Sequence, residues 1–543
     1  MTDTRIPDHE SVPAVPPQPT GMARVPRPYA HSNATRLLSA GAYLETGYRK
    51  NVIRELVDEA YRVVAPSYGY DAVTVLAHAL AARSLRRKQL FGLALGEILN
   101  YILLDNNVIG VPGFFLIAAW LPWAFAFLRR VATLQALITW LSPRPDRGNS
   151  GASDYEYDFP SNRALPQELV EKIALEQAGG QREIVFATER FRPFVGAGFE
   201  QDEWTTAELL LPMKPDAALQ AFLNDDEDGD DSEAENPPII PFTVAEISEY
   251  VAQRLESELR DDAPYGEQIE NLVVERRKYS RAGSLPIKKR LFWRWRGVLI
   301  LPPTPENEIA AFKLIEDREQ YKAAREYLCI RVGAWDQEIV TSIFVGFDVR
   351  GNTLYSEFYP HVMPPVLASF HLVDRLPQRL DPWMLLRIAF GIPFGLPRRA
   401  YIAARSAIHK VKAKLKSFGR TAIDFVGVVD YSEFRLGRYA TDLVDTGART
   451  SLRELAASGD YHHFFQKADR DKYVKVVQRR LLEVVRDFLI EHNIDVYDHD
   501  ARGTTILDKS TRMNYAHIEG DGIINQGGRG NRQSFGGRGD DTR

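Results

Sequence analysis

Two long apolar runs interrupt an otherwise mixed pattern of hydrophobic and polar positions. They cover residues 89–104 and 108–128, and the polar triplet 105–107 separates them. At 1.5 Å per residue the second run would extend about 31 Å as a helix, and the first about 24 Å. Because such lengths approach the thickness of a hydrocarbon core, the pattern predicts a transmembrane helical hairpin at 89–128.

The charges that flank the two runs predict their orientation. Arg86, Arg87 and Lys88 precede the first run, Arg129 and Arg130 follow the second, and the turn carries no Lys or Arg. Since basic residues collect on the cytoplasmic side, both outer ends are expected there. The interpretation is an inner-membrane protein with two spans and cytoplasmic termini. The alternative is a buried hairpin inside a soluble domain.

Four residues of the first run are candidates for packing or a polar role. Gly92 and Gly96 form a GxxxG spacing, which lets two helix backbones approach closely. Glu97 and Asn100 place polar groups inside the predicted span, where a charge costs at least about 2.5–3.5 kcal/mol on insertion scales. Two interpretations stay open. One is an oligomer contact or a polar pore lining, and the other is packing against the second helix.

Outside these runs the periodicity predicts helices and strands in separate groups. Helical spacing is present at 31–88, 131–141, 243–260 and 451–492, where Asp469 is a candidate cap. Strand-like runs lie at 182–211, 297–303, 326–332, 338–349 and 352–360. The triplet 350–352 predicts a β-hairpin turn between the last two. The fold class is therefore α+β, with a transmembrane helical hairpin, a cytoplasmic antiparallel-sheet domain and helical segments.

The predicted organisation follows these patterns and the composition between them. The segments are a Pro-rich disordered leader (1–30), an N-terminal helical region (31–88), the hairpin (89–128), a juxtamembrane helix and linker (129–165), a cytoplasmic α+β domain (166–380), a basic interfacial helical segment (381–420), a C-terminal helical region (421–510) and a Gly/Arg-rich disordered tail (511–543). An acidic run at 224–235 is interpreted as a solvated linker. Gly196 and Gly198 predict a turn, because the dinucleotide and P-loop patterns are incomplete.

Two basic segments with aromatic residues predict contact with anionic lipid headgroups. Residues 276–296 hold nine basic residues and no acid, and 381–420 continues the basic character. The candidates are Arg290, Phe292, Trp293, Arg294, Trp295, Arg296, Trp383, Arg398 and Arg399. The first segment would also suit single-stranded nucleic acid, which is the less favoured partner here. Residues 381–397 are either an interfacial helix or a core helix.

Catalytic chemistry is not predicted. The chain has no GxSxG, HExxH or kinase signature, and its single cysteine, Cys329, excludes an intramolecular disulfide and thiolate clusters. His462 and His463 are adjacent, so a regular helix cannot point both at one ion. The region 492–500, with His499 and several acids, is interpreted as a polar loop. No catalytic residue, metal site or cofactor is assigned, and a non-enzymatic role is favoured.

Four segments are similar to segments of one protein group. They are PSYGYDAVTVLAHALAARSLRRKQL, FRPFVGAGFEQDEW, YLCIRVGAWDQEIVTSIFVGFDVRGNTLYSEFYPHVMPP and GARTSLRELAASGDYHHFFQKADRDKYVKVVQRRLLEVVRDFLIEHNID. In them the chain resembles a family of uncharacterised actinobacterial two-span membrane proteins with a large cytoplasmic α+β region. The resemblance implies the layout and the host type, and it supplies no catalytic residue.

The expected function is a membrane-anchored cytoplasmic scaffold, sensor or effector at the inner membrane face. Its expected partners are the lipid bilayer, anionic headgroups, further copies of the chain and an unidentified protein. One rival is an oligomeric pore in which Glu97 faces the lumen. Another is an enzyme with an unrecognised site in the 182–360 sheet region. RNA binding through the GGRG repeats of the tail is a third and weaker alternative.

Overall fold

The structure is a computed structural model that describes most of the chain. It covers residues 27–60, 62–143, 165–178, 184–187, 193–213, 237–265, 268–281, 284–286, 293–295, 298–300, 325–377, 379–393, 443–445 and 447–515. The predicted leader up to residue 26, the acidic linker 224–235 and the tail beyond residue 515 lie outside the described residues.

Several helices near the start of the chain form one body, here called the N-terminal module. It contains α1 (Asn33–Leu44), α2 (Thr46–Ile53) and the first part of α3 (Ala72–Asp105). Ser32 begins α1 by accepting a hydrogen bond from the Thr35 amide, and Asp71 caps α3 in the same way. A later helix, α5 (Gln167–Gln177), completes the apolar core of the module.

The second part of α3 and helix α4 (Val111–Ala136) form a helical hairpin. The chain reverses between them at the predicted turn, where Asn107 has a φ of 56°. After α4, a wider turn at Leu137–Leu141 packs back into the module core. Within the described residues, one helical stretch, Val111–Leu141, is long and apolar enough to cross a membrane. The two-span prediction is therefore not confirmed.

The centre of the molecule is a mixed sheet in which antiparallel pairs dominate. Its order is β1 (Ile184–Ala187), β4 (Leu272–Arg281), β8 (Arg325–Ala334), β9 (Ile339–Arg350) and β10 (Thr353–Met363). Strands β2 (Phe199–Glu200) and β3 (Trp204–Leu209) pair with the outer edge of β10. Only β1 and β4 run parallel among the described strands of this sheet. Two short ladders lie apart: β5 (Ser284–Pro286) with β11 (Leu443–Asp445), and β6 (Trp293–Trp295) with β7 (Val298–Ile300).

The predicted hairpin turn between β9 and β10 is confirmed. Arg350 pairs with Thr353, and the two residues between them, Gly351 and Asn352, have φ values of 54° and 61°. A two-residue turn with positive φ at both positions matches the twist of the flanking strands, and glycine and asparagine adopt that conformation most readily.

Helices cover one face of the sheet, and loop residues pack on the other. On one face lie α6 (Val244–Glu256) and α8 (Phe464–Glu491), whose apolar stripes pack on strand residues such as Ile330 and Val345. On the other face, Tyr68 and Phe194 join strand residues in a smaller core beside the N-terminal module. The fold is thus α+β with a largely antiparallel sheet. Helix α7 (382–393) and α9 (Tyr497–Tyr515) complete the elements described here.

Some predicted boundaries are wrong near the C-terminus. Helix α8 begins at Phe464 with His463 at its N-cap, and Asp469 instead accepts a hydrogen bond from the Trp335 indole at 3.0 Å. The region expected to be a polar loop contains the start of α9, because Asp495 accepts from the Tyr497 amide there. Helix α9 also reaches into the predicted tail.

Candidate functional site

The glycines of the first apolar run lie against α4. A Cβ added to Gly92 would be 2.5 Å from the Phe125 ring, and one added to Gly96 would be 3.2 Å from Leu121. Asn100 is buried on the same side and donates a hydrogen bond to the Phe114 carbonyl at 3.1 Å. These contacts pair the two helices in antiparallel register, so the small residues serve close packing within the hairpin.

The remaining surface of the hairpin is apolar and exposed. Its large exposed side chains are Leu90, Phe91, Leu95, Ile98, Leu99, Tyr101, Ile102, Val108, Val111, Phe115, Leu116, Trp120 and Leu128. Glu97 is half-buried among them. Soluble monomers rarely expose large contiguous apolar patches, so this many exposed apolar side chains on one hairpin indicates contact with lipid or with another protein.

Polar and charged residues close one end of this apolar surface. Arg86, Arg87 and Lys88 are exposed where α3 leaves the N-terminal module. Across the hairpin, Arg129 donates a hydrogen bond to the Gln89 side chain at 2.9 Å. The basic residues of both helices therefore lie at the same end of the hairpin, next to the module.

Helix α7 packs against α4, the second helix of the hairpin. The Trp123 indole donates a hydrogen bond to the Ala389 carbonyl at 3.0 Å, and Ile388 and Ile392 are buried with Ala126. Three other large side chains of α7 face solvent: Trp383, Leu386 and Phe390, which are 77%, 47% and 71% exposed. This exposure excludes the interpretation of 381–397 as a core helix over its described part.

The structure does not describe the side chains of the remaining predicted interface residues. Trp293, Arg294 and Trp295 lie on β6, but the structure describes only their backbone. Arg290, Phe292, Arg296, Arg398 and Arg399 fall outside the described residues.

A second candidate site, here called the histidine cluster, contains Glu338, His371 and His462. These residues come from the β8–β9 turn, the short helix Phe370–Arg375 and the segment before α8. Each offers one ligand atom, and the three atoms lie within 4.8 Å of one another. Glu338 is 6% exposed, whereas both histidines are partly exposed. The site therefore combines a buried carboxylate with two imidazoles that solvent can reach.

Two of the ligand atoms of this cluster lie close together without forming a hydrogen bond. Glu338 Oε1 lies 2.5 Å from His371 Nε2, yet the two are not aligned as a hydrogen bond. Within the described residues, neither atom has a well-formed hydrogen-bond partner. Since buried polar atoms are nearly always paired in proteins, these two form an unusual site.

Hydrogen bonds outside the cluster fix the orientation of both imidazoles. Asp374 accepts from His371 Nδ1 at 3.2 Å, and the Val366 carbonyl accepts from His462 Nε2 at 2.7 Å. Arg36 of α1 lies 2.6 Å from Asp374 and holds that carboxylate in place. The carboxylates of Asp374 and Glu338 raise the pKa of His371 to about 9.

Arg453 lies directly behind the histidine cluster and is completely buried. Its guanidinium donates to the Tyr68 carbonyl at 2.7 Å and to the Glu338 carbonyl at 2.5 Å. Burial lowers the pKa of Arg453 to about 10. The side chain thus ties the N-terminal module to the turn that carries Glu338.

Tyr68 also contacts a charged group on the sheet. The guanidinium groups of Arg277 and Arg331 lie 5.4 Å and 5.6 Å from the Tyr68 ring centroid, and both pair with Glu275. Burial raises the pKa of Tyr68 to about 12, so the phenol stays neutral and suits this cationic contact. The module and the sheet therefore meet through polar as well as apolar contacts.

The predicted glycine turn is structural. Gly196 and Gly198 have φ values of 93° and 102°, and a Cβ on either would lie under 3.0 Å from a backbone oxygen, of Pro66 and Val362 respectively. The turn therefore fits closely between the module and β10 and is not shaped as a phosphate loop.

The sequence did not indicate the histidine cluster. Glu338 and His371 are 33 positions apart, and His371 and His462 are 91 positions apart. No spacing rule connects a strand turn, a short helix and a helix N-terminus. The argument that adjacent histidines cannot share an ion holds for His463, which stacks on Trp335. It did not exclude His462 as a ligand with distant partners.

These features define the class of protein as an α+β chain carrying an exposed apolar helical hairpin. Residues 203–532 match the family described as AbeC-like domain. The match spans more than half of the chain, which therefore belongs to the AbeC-like domain family. Neither a curated protein nor a solved structure matches it.

Proposed function

We propose that this protein is a membrane-anchored member of the AbeC-like family whose α+β body lies at the cytoplasmic face. In this proposal the hairpin crosses the bilayer twice, and both termini are cytoplasmic. The protein acts there as a non-enzymatic scaffold, sensor or effector, with the bilayer and anionic headgroups as its first partners. The actinobacterial membrane family suggested by resemblance is consistent with this layout and remains a prediction.

The observation that carries the proposal is the direction in which the hairpin side chains point. The small and polar residues Gly92, Gly96 and Asn100 face α4, while the large apolar ones face outward. A water-soluble helical pair shows the opposite arrangement, with apolar residues inside. In a bilayer the outward apolar side chains are solvated by lipid, and packing of small residues supplies the helix contact.

The basic residues favour the cytoplasmic orientation. Arg86, Arg87, Lys88 and Arg129 gather at the module end of the hairpin, and the turn at 105–107 has none. By the positive-inside rule the module end faces the cytoplasm. Helix α7 then lies beside α4 on that side, with Trp383 placed for the interface where aromatic residues are common.

The experiment is accessibility labelling of single cysteines in intact cells. Asn106→Cys, in a Cys329→Ser background, lies in the turn and should react with a membrane-impermeant maleimide added outside. Tyr265→Cys is the matched control, because Tyr265 is fully exposed on the α+β body and should react only after lysis. If both variants were protected in intact cells and labelled after lysis, the hairpin would not cross the membrane.

An oligomeric pore is the second candidate, and the position of Glu97 supports it. A half-buried carboxylate among outward apolar side chains needs a polar surrounding, which neighbouring copies around a lumen would supply. Conductance of liposomes containing wild type, Glu97→Leu or Glu97→Gln tests the idea. Unchanged leakage in both variants would remove Glu97 from any pore.

A further inference from the structure

We propose that Glu338, His371 and His462 bind one divalent first-row transition metal ion, with zinc as the favoured occupant. The proposal does not depend on membrane anchoring. Two imidazoles and one carboxylate form a ligand set used by catalytic zinc sites and by non-haem iron sites. The three side chains converge from separate parts of the chain, so their meeting is a product of the fold.

The buried atoms at the centre of the cluster point to a ligand. Glu338 Oε1 and His371 Nε2 have no well-formed hydrogen-bond partner among the described residues, although Glu338 is only 6% exposed. A buried carboxylate oxygen without an aligned hydrogen bond costs free energy, even beside a cationic imidazole. A metal ion that replaces the Nε2 proton would bind the lone pairs of both atoms.

The outer hydrogen bonds support the same assignment. A metal-bound histidine normally donates its other ring N–H to a carboxylate or a backbone carbonyl. His371 does so to Asp374, and His462 to the Val366 carbonyl. Each imidazole therefore has its second ring nitrogen free of these outer bonds, and its ring orientation is already fixed.

Binding requires a small local adjustment. Ligand atoms of one zinc ion, each at about 2.0–2.2 Å, lie roughly 3–3.5 Å apart, whereas Glu338 Oε1 and His371 Nε2 are 2.5 Å apart. The two atoms must therefore separate as the ion enters and replaces the proton on His371 Nε2. Both histidines are partly exposed, which gives the ion a route from solvent.

Three protein ligands leave one coordination position for water or for an exogenous ligand. Structural zinc sites usually have four protein ligands, whereas open sites have three. The expected site is consequently an open one, able to exchange its fourth ligand. The ion would also join the sheet to the helix that carries His371 and to the start of α8.

The test is metal binding by the full chain, purified in detergent without a histidine tag. After treatment with a chelator, the protein is titrated with Co(II) as a spectroscopic probe and, separately, with Zn(II). We expect one ion per chain, visible Co(II) absorption bands of low-coordinate geometry, their loss on adding Zn(II), and a higher melting temperature with Zn(II).

Variants distinguish this site from adventitious binding. Glu338→Gln, His371→Gln and His462→Gln should abolish the Co(II) bands, and Asp374→Asn should weaken Co(II) binding by about 10–100-fold. His463→Asn is the matched control, because His463 stacks on Trp335 and asparagine retains N-capping ability, so its titration should equal wild type. The proposal would be overturned if the wild type showed no Co(II) bands and retained no Zn(II). It would also be overturned if the ligand variants were folded and bound metal as the wild type does.

Discussion

Arg36 in the first helix of the N-terminal module lies 2.6 Å from the Asp374 carboxylate, which also holds His371. Replacement of Asp374 by Asn should keep the shape of the side chain and remove its charge. Since Arg36 keeps its hydrogen bonds to Asn33 and the Leu141 carbonyl, we expect a loss of roughly 1 kcal/mol in the free energy of unfolding. Urea denaturation of Asp374→Asn in detergent measures it. Arg375→Gln, an exposed neighbour, should change the free energy by less than about 0.5 kcal/mol.

Loss of the Arg453 side chain should be far more damaging. In Arg453→Met the carbonyls of Tyr68 and Glu338 lose their donor inside the protein, at about 1–3 kcal/mol each. We expect a total loss on the order of 3 kcal/mol, with weaker attachment of the N-terminal module to the sheet. Unfolding curves would measure the loss of stability, and limited proteolysis between the N-terminal module and the sheet would detect the weaker attachment. The exposed Arg449→Met serves as the control, and equal stability of the two variants would refute this role.

His499 should make stability depend on pH. Burial alone would lower the pKa of His499, but the hydrogen bonds to Glu208 and the Leu482 carbonyl outweigh it, so the net pKa is raised. A raised folded-state pKa stabilises fully below the unfolded value of about 6.5, and the contribution disappears as pH rises through the folded-state value. His499→Gln should therefore lose most stability near pH 6 and progressively less at alkaline pH. The exposed Asp498→Asn should show no such trend.

His78 should give a dependence of the opposite sign. Its burial in α3 lowers its pKa to about 3. The unfolded chain then takes up a proton that the folded chain refuses, so stability should fall as pH drops below about 6.5. Melting temperatures of wild type and His78→Leu between neutral and mildly acidic pH test this. A parallel decline in both proteins would assign acid sensitivity to other groups.

The glycine turn and the hairpin turn provide a matched pair of substitutions. In Gly198→Ala the new Cβ would lie 2.3 Å from the Val362 carbonyl oxygen in a residue with φ of 102°, so we expect a loss of about 2–3 kcal/mol. Gly351→Ala meets nothing within 4 Å and pays only for its φ of 54°, about 1 kcal/mol. Thermal unfolding compares them, and a larger effect at Gly351 would contradict the packing argument.

The elements that sequence could predict are those set by local pattern. The stripe of α8, including Val477, Leu481 and Phe488, is buried on the sheet as its spacing indicates. The turn at Gly351 and Asn352 follows from residue types that accept positive φ. In both cases the information lies within a few neighbouring residues.

Features that depend on distant pairing were not predictable from one sequence. The parallel pairing of β1 with β4 and the docking of β2 and β3 on β10 are decided by tertiary packing. The same is true of the histidine cluster, whose members have no local sequence pattern that connects them. Packing of α7 against Trp123 likewise joins segments that share no sequence signal.

Helix α3 runs without interruption for 34 residues, from Ala72 in the core of the N-terminal module to Asp105 at the hairpin turn. At 1.5 Å per residue this is a rod about 51 Å long, with one end clamped in protein and the other end bare. No proline or turn divides the part of the helix in the module from the part in the hairpin. One continuous helix therefore joins the core beside Tyr68 directly to the turn of the hairpin.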